Sequence, residues 1–154
     1  MKAISVTALV LLALVLTACG GSSKSSNPAP RGVDGFWTIN LHNPDGSLAL
    51  VFNANLTQAG GSSLNISNFS VFTPSPCFTS STSQSATFTV TGASGGFQTG
   101  PFTMTVSTIF GTAVENVATL TGTREPDGRI SGTWTLTGLS GCNGTGTLLM
   151  MLPE

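Results

Sequence analysis

The sequence predicts an all-β domain, most simply an antiparallel up-and-down barrel of about eight strands, with a β-sandwich as the alternative. Apolar and polar residues alternate with a period of two in successive segments, and glycine-rich turns separate these segments. No segment beyond residue 33 has the period of an amphipathic helix. The chain has too few lysines to protect exposed sheet edges, and closure into a barrel removes such edges. A closed barrel is therefore preferred.

The first two predicted strands flank a turn at Pro44-Asp45-Gly46. Proline presets φ, aspartate bonds the following backbone, and glycine accepts positive φ, which together favour a tight turn. The strand before it places three apolar residues on one face: Trp37, Ile39 and Leu41. The strand after it places five there: Leu48, Leu50, Phe52, Ala54 and Leu56.

The third predicted strand changes its apolar phase partway along. Ile66 is followed by Phe69, so the apolar positions slip by one residue. A slip of this kind indicates a β-bulge, here near residues 67–68. The Pro-, Ser- and Thr-rich stretch 73–85 predicts a loop.

The second half of the chain predicts five more strands. Pro126-Asp127-Gly128 repeats the earlier turn chemistry, and Pro101 indicates an edge, a bulge or a strand that begins after it. The apolar sets that share a face are Ala86, Phe88 and Val90; Phe102, Met104 and Val106; Ala118 and Leu120; Ile130, Trp134 and Leu136; and Leu148, Met150 and Leu152.

The N-terminal segment has the layout of a secretory signal peptide. Lys2 precedes a nearly unbroken apolar run over 3–16, which is shorter than the about 20 residues of a membrane-spanning helix. Glycine, serine, asparagine and proline dominate the stretch after Cys19 and predict a flexible tether. We expect a signal peptide at 1–18, a cysteine with its tether at 19–32, and the barrel domain at 33–154.

Leu16-Thr17-Ala18-Cys19 resembles the lipobox of bacterial lipoproteins. The resemblance implies cleavage before Cys19, a diacylglyceryl thioether on its sulfur, and usually an N-acyl chain such as palmitate. Two or more acyl chains hold a protein stably on a membrane, so the implied partner of Cys19 is a membrane of the bacterial cell envelope. Gly20 stands where many inner-membrane lipoproteins carry aspartate, which implies the outer membrane. An ordinary signal peptide with a chance cysteine is the alternative.

The chain has three cysteines. If Cys19 is lipidated, Cys77 and Cys142 remain as a pair in an oxidising compartment, and we expect a disulfide between them. Two free buried thiols are the alternative.

Gly35-Phe36-Trp37 is similar to the G-x-W opening of lipocalin and avidin-type barrels. In those families the tryptophan packs at the closed end of the barrel, and the barrel can hold a small apolar ligand. The aromatic residues on the predicted inner faces would either line such a cavity or fill it as core: Trp37, Phe52, Phe88, Phe102 and Trp134. In pattern the chain also resembles uncharacterised bacterial lipoproteins with late segments like Ile130-Ser131-Gly132-Thr133-Trp134 and Gly141-Cys142-Asn143-Gly144.

We expect no catalytic residue, metal ligand or cofactor. His42 is the single histidine and lies just before a turn, no serine occupies a G-x-S-x-G elbow, and no His/Cys/Asp cluster has ligand spacing. Five Lys and Arg residues supply no basic patch for nucleic acid. The chain is therefore expected to have a binding or structural role. The alternatives are a carrier of a small apolar ligand, or an inhibitor or accessory subunit that docks on an envelope protein by its loops, with the oligomeric state open.

Overall fold

The computed structural model describes residues 32–73, 75–78, 82–139 and 141–153. The predicted signal peptide at 1–18, the lipidated Cys19 and the tether up to residue 31 lie outside the described residues and stay predictions. In the described ranges no helix is long and apolar enough to cross a membrane.

The described part of the chain forms a closed antiparallel barrel with one additional short strand. Eight strands surround the barrel in the order β4-β3-β2-β1-β9-β8-β7-β6, and β6 pairs with β4 to close it, while β5 adds to β6 outside the ring. The strands are β1 (Gly35–His42), β2 (Leu48–Gly60), β3 (Ser63–Val71), β4 (Thr82–Phe88), β5 (Gly92–Ser94), β6 (Phe97–Phe110), β7 (Ala113–Arg124), β8 (Ile130–Thr137) and β9 (Gly144–Met151).

Neighbouring strands of the ring are mostly consecutive in sequence, which confirms the predicted up-and-down barrel. The first and last strands of the barrel are neighbours, because β1 pairs with β9, with Thr38 opposite Met151. Pairing is shortest between β3 and β4, where only Ser63 and Leu64 of β3 have partners. The wall is therefore continuous but least tightly hydrogen-bonded at this seam.

The barrel has two ends, which we name by the residues that close them. The Trp37 end contains Trp37, the entering segment 32–34 and the β7–β8 turn at 125–129. The disulfide end contains the β3–β4 loop with Cys77 and the β8–β9 loop with Cys142. Both the entry of the chain at residue 32 and the end of β9 lie at the Trp37 end.

The predicted bulge in β3 is confirmed. Asn68 has a φ of 50°, and the β2–β3 register shifts between Asn53 and Asn55 of the partner strand. Asparagine tolerates the left-handed region because its short amide can bond locally. The bulge brings Phe69 toward the interior, where it packs on Phe52.

Some strand limits differ from the prediction. β4 begins at Thr82, inside the predicted loop, because Thr82–Ser85 pair with β6 despite having few apolar residues. Val90 lies beyond the end of β4 and is exposed. Gly95-Gly96 forms a turn that joins the short strand β5, which was not predicted, to residues 97–99 of β6, its pairing partners.

One apolar cluster fills the space inside the ring and explains why alternation predicted the strands so well. An eight-stranded barrel is just wide enough for side chains to fill. The cluster members least exposed to solvent are Val33, Trp37, Ile39, Leu41, Phe52, Ala54, Leu56, Phe88, Phe102, Met104, Val106, Ala118, Leu120, Ile130 and Met150.

Candidate functional site

The barrel interior holds all five aromatic residues proposed from the sequence as cavity lining or core. Phe52 lies at the centre of an aromatic group, with Phe69 at 5.4 Å and Phe78 at 5.5 Å between ring centroids. Phe78 comes from the β3–β4 loop, so this part of the loop packs onto the interior at the disulfide end. All five belong to the buried cluster: Trp37, Phe52, Phe88, Phe102 and Trp134.

The indole of Trp134 fits into the barrel interior because the neighbouring residues on β9 are glycines. A Cβ on Gly146 would lie 1.8 Å from the carbonyl oxygen of His42, and a Cβ on Gly144 would lie 2.9 Å from the Trp134 ring. The indole Nε1 of Trp134 donates to that same carbonyl oxygen of His42 at 2.9 Å. The Gly-x-Gly start of β9 therefore accommodates the indole of β8.

Trp37 is fully buried at the end of the barrel where the chain enters. Its indole Nε1 donates to the carbonyl oxygen of Val33 at 2.7 Å. The guanidinium carbon of Arg124 lies 5.7 Å from the Trp37 ring centroid and 5.2 Å from that of Phe97. A cation between two aromatic faces gains attraction from both ring quadrupoles.

Arg124 is a buried charge that the sequence reading did not single out. It donates to the carbonyl oxygens of Gly32 and Gly128, which ties the entering segment to the β7–β8 turn. Desolvation by burial lowers the pKa of its guanidinium, although arginine stays charged in proteins. Arg124 lies an even number of residues after Ala118 and Leu120 on β7, and this spacing predicts that all three side chains point inward.

The disulfide end is held together around one carbonyl group. Cys77 and Cys142 form the expected disulfide, with their Cα atoms 5.6 Å apart. The carbonyl oxygen of Cys77 accepts from Thr108 Oγ1 at 2.7 Å and from Asn116 Nδ2 at 3.0 Å. The amide oxygen of Asn116 accepts from the backbone N–H of Leu139 at 3.0 Å. Buried Asn116 thus connects the two loops that the disulfide also joins.

The single histidine, His42, lies at the opposite end of the barrel from the carboxylates of Asp34 and Glu125. His42 Nδ1 lies 3.2 Å from the carbonyl oxygen of Gly46 at the disulfide end. Asp34 at the other end accepts from the Gln58 N–H at 2.7 Å, and Glu125 accepts from Ser131. Among the described residues no three His, Cys, Asp or Glu side chains lie close enough together to hold a metal ion.

The aspartates of the two Pro-Asp-Gly turns occupy matching positions. Hydrogen bonds from the Ser47 hydroxyl and backbone N–H lower the pKa of Asp45. Hydrogen bonds from Arg129, first from its side chain, lower the pKa of Asp127, and the two side chains form an ion pair at 2.5 Å. These carboxylates are accounted for as turn residues.

Two clefts lie on the outer wall. One, of about 370 Å³, is bounded by Phe72 near the disulfide end, and Thr38, Asn40, Val51 and Asn53 line the rest of it. The other, of about 350 Å³, lies at the Trp37 end, with these lining residues: Phe97, Asp127, Gly128, Arg129, Met151, Leu152 and Pro153.

Comparison with protein-family models, with curated proteins and with solved structures gave no match to this chain. The class that the geometry defines is therefore a closed eight-stranded antiparallel barrel with an apolar interior.

Proposed function

We propose that this chain is a lipid-anchored protein of the bacterial cell envelope, held in a membrane through Cys19, whose barrel has a non-catalytic binding or structural role. The Leu16–Cys19 motif supports the anchor, and its Gly20 supports the outer membrane as the location. The proposal assigns attachment to the N-terminal segment and recognition to the barrel surface.

The observation that carries the binding role is the packing of the interior. Phe52, Phe88 and Phe102 pack in one cluster with the two tryptophans, and Phe78 contributes to it from a loop. Because side chains occupy this space, the surfaces that remain for another molecule are the outer wall and the loops. This supports the accessory-subunit form of the proposal over a carrier, which needs an internal apolar pocket.

Metabolic labelling with a fatty acid tests the anchor. We expect label on the full chain and none on Cys19→Ala, while Ser22→Ala, a matched change in the tether, keeps its label. Fractionation should place the labelled chain in the membrane and the Cys19→Ala chain in the soluble fraction. Label on Cys19→Ala would overturn lipidation at this residue.

Titration with a fluorescent fatty acid tests the filled interior. The wild-type barrel should give no saturable signal. Phe88→Ala removes a fully buried ring and should create an apolar cavity that a molecule of benzene size, but not the fatty acid, can enter. Saturable binding of the fatty acid to the wild type would favour the carrier function instead.

A further inference from the structure

We infer that the disulfide end is a docking surface for an envelope protein that presents an apolar patch bordered by lysine or arginine. The inference rests on the proposed function for the direction in which the barrel faces. It adds the part of the surface that binds and the chemistry of the partner.

The first observation is where the exposed apolar side chains lie. Phe72 and Phe110 are 74% and 71% exposed, which is unusual for phenylalanine. They belong to a set at the disulfide end that we call the apolar rim: Leu48, Phe72, Phe110, Val114 and Leu139. Each is more exposed than any large apolar side chain described at the Trp37 end. These five exposed apolar residues share one end of the barrel, and exposed apolar surface of this kind marks interaction sites.

The second observation is that the loops of the apolar rim are tied to one another. The disulfide joins the loop that follows Phe72 to the loop that contains Leu139. Asn116, two residues after Val114, bonds both to Cys77 and to the Leu139 N–H. Side chains whose positions such contacts already fix lose less conformational entropy on binding. The rim is therefore held ready for binding.

The third observation is the sign of the charge beside the rim. Asp45, in the β1–β2 turn, and Glu115, in β7, are the formal charges of the described residues at the disulfide end. The described arginines, Arg124 and Arg129, lie at the Trp37 end. Two acidic residues beside an apolar surface favour a partner with basic residues. They disfavour both an anionic bilayer and a second copy of the chain, which would oppose like charges.

The fourth observation is the cleft beside Phe72. Its walls include the side chains of Thr38, Asn40 and Asn53, whose hydroxyl and amide oxygens accept hydrogen bonds. A cleft with one aromatic wall and several acceptors suits the stem and head of a lysine or arginine. It lies on the outer wall next to the rim, so one partner can contact both.

The direction of the tether supports the same surface. The chain enters the barrel at Gly32, at the Trp37 end, and residues 20–31 connect it to Cys19. The glycine- and serine-rich composition of these residues predicts a flexible tether, and a tether of this length spans about 20 Å. An eight-residue strand adds about 25 Å between the ends. An anchor at Cys19 thus holds the Trp37 end near the membrane and presents the apolar rim away from it.

Site-specific photo-crosslinking in living cells of the native host tests the inference on the full chain. A photoreactive amino acid replaces Phe72 or Phe110, and Phe36, an exposed phenylalanine at the Trp37 end, is the matched control position. We expect a discrete protein adduct from Phe72 and Phe110 and none from Phe36. Mass spectrometry should place the linked partner peptide beside lysine or arginine. The double variant Asp45→Lys, Glu115→Lys should lower the yield about fivefold or more, while Glu125→Lys leaves it unchanged.

Each other outcome overturns the inference. An adduct of two copies of the chain would mean self-association, and an adduct with the mass of a lipid would mean a bilayer contact. Equal yields from Phe36 and Phe110, no adduct at all, or no response to charge reversal would each remove the docking surface. Fatty-acid labelling of the same cells separates this from the anchor. Label without an adduct rejects the docking surface alone, and an adduct without label rejects the anchor alone.

Discussion

The two ends of the barrel are closed by different interactions, although the same strands run between them. At the Trp37 end an indole, a guanidinium and the entering backbone seal the interior by non-covalent contacts. At the disulfide end a covalent bond and the side chain of Asn116 tie loops that are distant in sequence. The first end buries Trp37 completely, and the second leaves Phe72 and Phe110 largely exposed. One end therefore serves stability, while the other combines rigidity with an apolar surface.

The largest effect on stability should come from a substitution that removes the packing at the Trp37 end. Trp37→Ala removes a fully buried ring together with its hydrogen bond to Val33, and it should lower the free energy of unfolding by about 3–5 kcal/mol. Chemical denaturation measures the change. Phe36→Ala, at the exposed neighbour, should cost much less. Equal losses for the two variants would contradict the assignment of Trp37 as the closing residue.

Loss of the disulfide should come next. Cys77→Ser with Cys142→Ser opens a loop of 65 positions and should lower the free energy of unfolding by about 2–4 kcal/mol, mainly through the unfolded chain. Wild type under reducing conditions should unfold at the same denaturant concentration as the double variant. A double variant as stable as the oxidised wild type would show that the hydrogen bonds of Asn116 alone hold this end.

Asn116→Ala separates those hydrogen bonds from the covalent bond. It leaves the Cys77 carbonyl with Thr108 alone and leaves the Leu139 N–H without its partner, at a cost of about 1–3 kcal/mol. Amide hydrogen exchange should become faster in the β8–β9 loop and stay unchanged at the Trp37 end. Thr121→Ala, on the exposed face of the same strand, is the control. Uniformly faster exchange would argue against a local role.

The smallest expected effect is on stability at acidic pH, where the two Pro-Asp-Gly turns should differ in their response to salt. The pKa values of Asp45 and Asp127 are both lowered in the folded state. Their contribution to stability is therefore present above the ordinary value of 3.8 and is lost as the pH falls through the lowered folded-state values. Asp45→Asn and Asp127→Asn should each flatten the acid limb of Tm against pH. Added salt should weaken only the Asp127 contribution, because only this aspartate pairs with a charge. Equal salt effects would contradict that difference.

The fold was predictable because each of the eight barrel strands faces a single apolar interior. Alternation identified the inner faces, the slip after Ile66 located the bulge at Asn68, and the Pro-Asp-Gly pairs located two turns. Alternation shows which face of the sheet a residue occupies, but it does not show where the strand ends along the barrel axis. Leu48, at the first position of β2, and Val90, beyond the end of β4, share the phase of inner residues, yet both are exposed.

The buried polar residues were not predictable, because their partners come from distant loops. Thr108 and Asn116 bond to a carbonyl that precedes them by 31 and 39 positions. Arg124 bonds to a residue 92 positions away. Their inward phase was visible in the sequence, but the contacts that make burial favourable depend on how the loops cross the ends. The apolar rim was not predicted either, because the sequence does not show which strand ends and loops meet at the disulfide end.

Closure of the ring through β1 and β9 sets the order in which the chain can fold. Thr38 pairs with Met151, so the final seam joins residues separated by nearly the whole domain, and such non-local pairing slows folding. A chain that enters its compartment N-terminus first carries β1 with one edge unsatisfied until β9 has followed. During that interval the interior aromatic residues are open to other chains. The proposed export would therefore require protection of the chain until its last strand has crossed the membrane.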